Sequence, residues 1–275
     1  MERYRLTVES IPEMQDDDTT MMEYDPEMVQ VAEGRWRSAH ALAMRFFRLR
    51  GNVSDVKVAH VVHPRPAAAE FSSPNARWNR MREVGVRTLE LCAGDFLIDG
   101  IKRDRLPWGG DLTVSMLADA YVWGDASVAR ASLSAMDAYL GDVNGTASYS
   151  MWTLVSHDFY QLYFGDAAFL KDRWWRIRWR VENLISRTDP ETGFVAKDLD
   201  WVFIDWAKPE SRPALHALWY GALQASARLA DRVKDARAKD YRVLAAKVKA
   251  SLDRLAWDEP RGLYRANPGG AAEFG

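Results

Sequence analysis

From Ser73 onward, apolar residues recur with the helical period through almost the whole chain, and this leaves an array of packed helices as the fold. The first segment follows Ser73 or Asn75 as N-cap, with Pro74 near the first turn, and lines up Trp78, Met81, Gly85, Leu89 and Cys92. A second helix is expected over Leu112–Trp123 with Asp111 as its cap, a third over Ser127–Leu140, and a fourth over Met151–Tyr163. The fifth, Ala168–Ile185, places Leu170, Trp174, Ile177, Val181 and Leu184 on one side. Leu215 to Ser226 marks a sixth and Tyr241 to Leu255 a seventh.

A short repeat says how these helices are joined. Tyr121-Val122-Trp123-Gly124-Asp125-Ala126 is echoed by Tyr163-Phe164-Gly165-Asp166-Ala167, 41 residues later from glycine to glycine. In each copy an aromatic helix end meets Gly, and Asp then caps the next helix. That offset is about one helical hairpin, the scale on which helical arrays repeat. Long segments at 94–110 and 187–211 interrupt the pattern, and ordered loops of such length are commonly functional.

The first 70 residues read differently. Arg3–Glu9, Phe46–Gly51 and the alternating Val56–Val62 are expected strands, the last stopped by His63-Pro64-Arg65-Pro66. Too few for a complete sandwich, they suggest the closing strands of a larger β domain over 1–70, ahead of a helical domain over 71–275.

The 37 basic and 39 acidic side chains leave a net charge of -2, so neither nucleic acid nor an anionic membrane is an expected partner. One cysteine, Cys92, excludes an internal disulfide or a cysteine metal cluster. No apolar run is long enough for a membrane span, and the acidic start is no secretory signal, leaving cytoplasmic, periplasmic and secreted compartments open. The 12 tryptophans exceed ordinary usage. About two thirds are expected in the core, and the rest are candidates for stacking on sugar rings.

Chemistry concentrates in residues 99–111, where Asp99, Asp104 and Asp111 lie among Lys102, Arg103, Arg105 and Trp108. A solvated charged loop would explain the charges but not Trp108 between Pro107 and Gly109-Gly110. Those glycines follow no strand and are read as room for a substrate. The stretch resembles the signature loop of glycoside hydrolase family 78, the bacterial α-L-rhamnosidases. Their fold is an (α/α)6 toroid of six hairpins, so a mainly α chain is expected, holding part of a toroid after a few β-strands. In that resemblance Asp104 takes the position of the general acid, where the family usually has Glu. Asp99, Arg103 and Asp111 match residues that hold sugar hydroxyls, and Trp108 matches a wall of the sugar pocket. Trp201-Val202-Phe203-Ile204-Asp205-Trp206 resembles a later loop, which makes Asp205 and Trp206 pocket residues, and Trp152 falls where another pocket Trp is expected. The resemblance implies a rhamnosylated glycoside as substrate, no cofactor, and inversion, with two carboxyls about 6.5–9.5 Å apart. Calcium occurs in some relatives, but no calcium loop is visible here.

The acid must keep its proton near neutral pH. Arg103 and Arg105 would lower the pKa of Asp104, and Asp99 and Asp111 would raise it if nearer. The family's base is a Glu in later helices, so the chain is expected to be incomplete at both ends, to lack that base, and to expose apolar helix faces. Two rivals stand beside this reading: another six-hairpin glycosidase, and a non-catalytic carbohydrate-binding or scaffold protein. Elsewhere, Ser156-His157-Asp158 on a helix sends its side chains to different faces and is no triad. His216 is expected to be structural, His60 with His63 makes a poor metal site, and Asn144-Gly145-Thr146 fits a glycosylation acceptor.

Overall fold

The computed structural model describes residues 5–9, 27–42, 46–50, 52–59, 63–101, 105–196, 199, 201–204 and 211–266. It divides into two units, residues 1–63 with 100–105, and residues 64–99 with 106–275.

In the first unit, β1 (Arg5–Glu9) pairs antiparallel with β4 (Phe46–Arg50), while β2 (Met28–Ala32) and β3 (Arg35–Ser38) form a hairpin. Gly34 supplies the left-handed residue of that hairpin's turn, at φ 68°. The β2–β3 hairpin is not among the expected strands, although Val29-Gln30-Val31 and Arg35-Trp36-Arg37 both alternate around Gly34. The expected strand at Val56–Val62 is not formed: residues 52–59 are irregular, and 60–62 lie outside the described residues. Alternation alone does not make a strand without a partner edge to satisfy its backbone. Arg105 is described with this unit, at φ 57°, and its guanidinium donates to the Ala41 carbonyl at 3.4 Å.

The second unit carries seven helices among the described residues, α1 (Ala76–Cys92), α2 (Gly109–Val122), α3 (Ala126–Asp137), α4 (Ala147–Phe164), α5 (Ala167–Ser186), α6 (Ser211–Arg232) and α7 (Ala238–Ala256). The seven expected helices are therefore present. A small hairpin, β5 (Trp257–Asp258) with β6 (Leu263–Tyr264), follows them. Helix α4 packs on α2 and on α6, and α3, α5 and α7 return along the outside of this row. This is the two-layered order of a helical-hairpin toroid. Its sequence explains the central place of α4: Ala147, Ser148, Ser150, Thr153 and Ser156 are small enough to bury on several faces at once.

The repeated turns do what their sequence suggests. Gly124 and Gly165 adopt φ of 62° and 66°, and Asp125 and Asp166 accept the Ser127 and Phe169 amides at the next helix starts. The two aromatic helix ends even meet, since the Tyr121 and Tyr163 hydroxyls lie 2.9 Å apart.

Polar groups tie neighbouring helices together both within the row and outside it. His157 Nε2 lies 3.0 Å from Asp137 Oδ1, and Asp158 receives Arg228 at 2.7 Å. Ser156 meets Thr113 at 2.6 Å, so the Ser-His-Asp run does point three ways. Arg180, buried, donates to the Met136 carbonyl at 3.1 Å, and Arg187 grips Asp142 with two bonds of 2.8 Å. Burial pushes the Asp142 carboxyl up, but Arg187, Ser150 and Arg180 outweigh it and hold the group below its ordinary value. His216 stacks on Phe194 at 3.8 Å and faces the Val195 carbonyl at 3.3 Å, and burial lowers its pKa.

The tryptophans depart most from expectation. Among those described, Trp219 alone is fully buried, while Trp36, Trp78, Trp175, Trp179, Trp201 and Trp257 are exposed. The helical period locates an apolar face, but an indole at its margin can lie half out of the core.

Candidate active site

The segment between α1 and α2 turns back on itself before it reaches the candidate residues. Ile98 donates to the Cys92 carbonyl at 3.0 Å, and Leu97, fully buried, donates to Ser132 Oγ at 2.9 Å. The Asp99 amide then bonds the Leu106 carbonyl at 3.3 Å. Asp99 is half-buried there. Arg103 and Asp104, the expected sugar ligand and general acid, lie outside the described residues.

Trp108 and Asp111 are set by the start of α2. Asp111 does not cap this helix; it lies in the first turn, and Trp108 is the N-cap residue, whose side chain does not cap the helix. The capping acceptor comes from far along the chain, because Asn144 Oδ1 accepts the Gly109 amide at 3.0 Å. Asn144 also donates to the Pro107 carbonyl at 3.2 Å and to Tyr139 Oη at 3.0 Å, from a left-handed backbone at φ 52°. Its side-chain amide is thus committed to the fold through both its oxygen and its nitrogen.

Tyr149 brings the two sequence-distant stretches together. Its hydroxyl donates to Asp111 Oδ2 at 3.4 Å, and its ring meets Trp108 edge-on at 5.9 Å and Phe203 at 6.0 Å. Gly109 and Gly110 make room for this residue rather than for a substrate. A Cβ at Gly109 would lie 2.9 Å from the Tyr149 carbonyl, and one at Gly110 would lie 2.7 Å from its ring. Nothing but the paired glycines signalled so close an approach.

Residues 201–204 lie along the start of α4. The Ala147 amide donates to the Trp201 carbonyl at 3.3 Å, and Ser148 Oγ donates to the Phe203 carbonyl at 2.7 Å while accepting its amide at 3.2 Å. Asp205 and Trp206 lie outside the described residues. Trp152 is half-buried, one turn beyond Tyr149 on α4, and lines an apolar groove of about 460 Å³ with Val155, Ile204, Ala217 and Leu218. Of the expected site residues, the structure brings Trp108 and Asp111 together around Tyr149, and Trp152 beside Ile204. Among the described residues no group of three or more metal-ligating side chains converges, and no helix is long and apolar enough to cross a membrane.

Residues 66–268 match the family model of the bacterial α-L-rhamnosidase six-hairpin glycosidase domain. The fold is similar to that of a rhamnosidase from Klebsiella oxytoca with rhamnose bound, at TM-score 0.76 and 21% identity over 95% of this chain and 58% of that one. It is also similar to a family 78 rhamnosidase of Bacillus sp. GL1, at TM-score 0.74 and 18% identity over 96% of this chain and 30% of the other. Among curated protein sequences none matches.

Proposed function

Because this chain belongs to the bacterial α-L-rhamnosidase six-hairpin glycosidase family, we propose that it serves the hydrolytic removal of terminal α-L-rhamnose from glycosides, with inversion. The observation that carries the reading is the packing of Trp108 and Asp111 against Tyr149, whose ring also meets Phe203 of the 201–206 stretch. Two loops chosen for their chemistry, about a hundred residues apart, share one aromatic support.

In this reading Asp104 protonates the leaving glycosidic oxygen as general acid. Asp99, Arg103, Asp111 and Asp205 hold the sugar hydroxyls, where a carboxylate accepts and a guanidinium donates. Trp108, Trp152 and Trp206 wall the apolar face of the ring. A second carboxylate, across the sugar and about 6.5–9.5 Å from the acid, activates the attacking water. No residue of the chain is assigned that role.

The test is hydrolysis of aryl and alkyl α-L-rhamnosides by this chain and by the longest product its gene encodes, each with and without Asp104→Asn, the longer form being the one read for turnover. A general acid contributes about 10²–10⁴ in rate, so the variant should lose that much on a poor alkyl leaving group and far less on a dinitrophenyl one. Proton NMR should show the β-anomer as the first product. A loss equal for both leaving groups removes Asp104 from the acid role, and a first-formed α-anomer rules out inversion. Rhamnose binding without turnover of any rhamnoside would replace the catalytic reading with a binding one.

A further inference from the structure

Helix α5 sets two of the exposed tryptophans side by side. Trp175 and Trp179 are 56% and 38% exposed. They are four residues apart on one helix, so their side chains sit on one face, about 5–6 Å apart along it. The neighbouring indole differs: Trp174 turns inward and donates to Asp235 Oδ2 at 3.0 Å. Trp175 and Trp179 have no such bond among the described residues, and solvent exposure of two large aromatic surfaces in one patch marks a binding surface.

The charges around the pair are unbalanced. Asp172 is 3.1 Å from Arg173, and Glu182 is held by Arg237 at 3.3 Å and by the Tyr241 hydroxyl at 2.8 Å. Both carboxylates on this face are therefore engaged by the protein's own groups. Lys171, Arg176 and Arg178 have no ion-pair partner among the described residues. The Arg176 guanidinium stacks over Trp175, 4.2 Å from the ring centroid. That stacking fixes the guanidinium plane while leaving its edge free to meet a carboxylate with two bonds.

We propose that the outer face of α5 binds an acidic polysaccharide, a chain of pyranose rings bearing uronate groups. Indole faces take the C–H faces of successive rings, and Lys171, Arg176 and Arg178 take the carboxylates. Three cations suit a polymer with at most one charge per sugar. A nucleic acid, with one charge on every nucleotide, fits this sparse set and the chain's formal net charge of -2 less well. The site stands apart from Asp104 and its neighbours in sequence, and it would hold a polymer to the protein without taking part in bond cleavage.

Native electrophoresis in gels containing polygalacturonate, its fully methyl-esterified form, or single-stranded DNA tests this. Polygalacturonate should retard the protein, and the neutral ester should retard it less. Trp175→Ala with Trp179→Ala should weaken the polygalacturonate interaction about tenfold, as loss of two aromatic contacts would. Arg176→Gln with Arg178→Gln should weaken it similarly but leave retardation by the ester unchanged. All four positions are at least partly exposed, so both variants should keep the helical circular-dichroism signal and the hydrolysis of a small aryl rhamnoside. The inference is overturned if polygalacturonate does not retard the protein, if retardation survives in the tryptophan variant, or if DNA retards it as strongly. Because small-rhamnoside hydrolysis is read separately, failure here and failure of the proposed activity are distinct results.

Discussion

Replacing Asp119 with Asn should make the protein more stable, and only above a definite pH. Asp119 lies in the last turn of α2 and is fully buried. Its Oδ1 accepts the Asp125 amide at 3.4 Å, while Oδ2 is buried without a hydrogen-bond partner. Burial, with the nearby Asp125 charge adding to it, raises the carboxyl from 3.8 to about 7. The unfolded chain releases this proton near 3.8 but the folded chain holds it to about 7, so stability falls as pH rises between those values. The gap corresponds to on the order of 4 kcal/mol against the charged form, and local relaxation would reduce it to roughly 2–4 kcal/mol. Asn has the shape of the protonated acid and cannot ionise. The variant should match the parent near pH 4 and exceed it by that amount at pH 8. Asp125 and Asp142 have lowered pKa values, so their contributions are lost only as pH falls below the ordinary carboxylate range. Neutral, buried His216 contributes above 6.5 and loses that contribution as pH falls further. These groups are common to both proteins and cancel in the difference. Urea unfolding followed by circular dichroism at pH 4.5, 6 and 8 measures it. A stability difference that does not change with pH would refute the reasoning.

Tyr149→Phe keeps the ring between Trp108 and Phe203 but removes the bond to Asp111; KM for an aryl rhamnoside should rise roughly threefold to tenfold with kcat nearly unchanged, and an unchanged KM would free Asp111 from this dependence. Gly110→Ala places a methyl 2.7 Å from the Tyr149 ring, and thermal unfolding should show a loss of about 1–3 kcal/mol. Asn144→Gly keeps the left-handed backbone but gives up the bonds to Gly109, Pro107 and Tyr139, at about 1–2 kcal/mol, and Asn144→Ala should cost roughly 1 kcal/mol more.

Helix existence was legible because the 3.6-residue period survives every interruption, and the turns at Gly124 and Gly165 were legible because both capping partners are adjacent in sequence. What failed was whatever depends on a distant partner. Asp111 looked like a cap, yet the acceptor for α2 is Asn144, 35 residues from Gly109. Val56–Val62 has the strand pattern without an edge to pair with among the described residues. Gly109-Gly110 announced a close approach, but only packing names Tyr149 as the neighbour. Tryptophan position was not legible, since hydrophobicity says little about which edge of a helix faces water. Asp99, Trp108 and Asp111 came from resemblance to a family loop, and Trp152 from resemblance to a separate pocket position; physics alone would have left that loop a charged surface segment.

The hairpin ladder also bears on how the chain acquires its structure. Helices α2 and α3, α4 and α5, and α6 and α7 are neighbours in sequence as well as in space, so most of the order needed is gained over short loops. Such chains tend to fold quickly and in contiguous cooperative pieces. Because α4 is packed between α2 and α6, its amides should exchange hydrogen most slowly. Those of α1, which touches only one end of the row, should exchange first. The connections from α3 to α4 and from α5 to α6, rather than the tight turns at Gly124 and Gly165 inside the pairs, are then the boundaries between pieces, where a nick or an inserted loop would divide the molecule with least damage to either side.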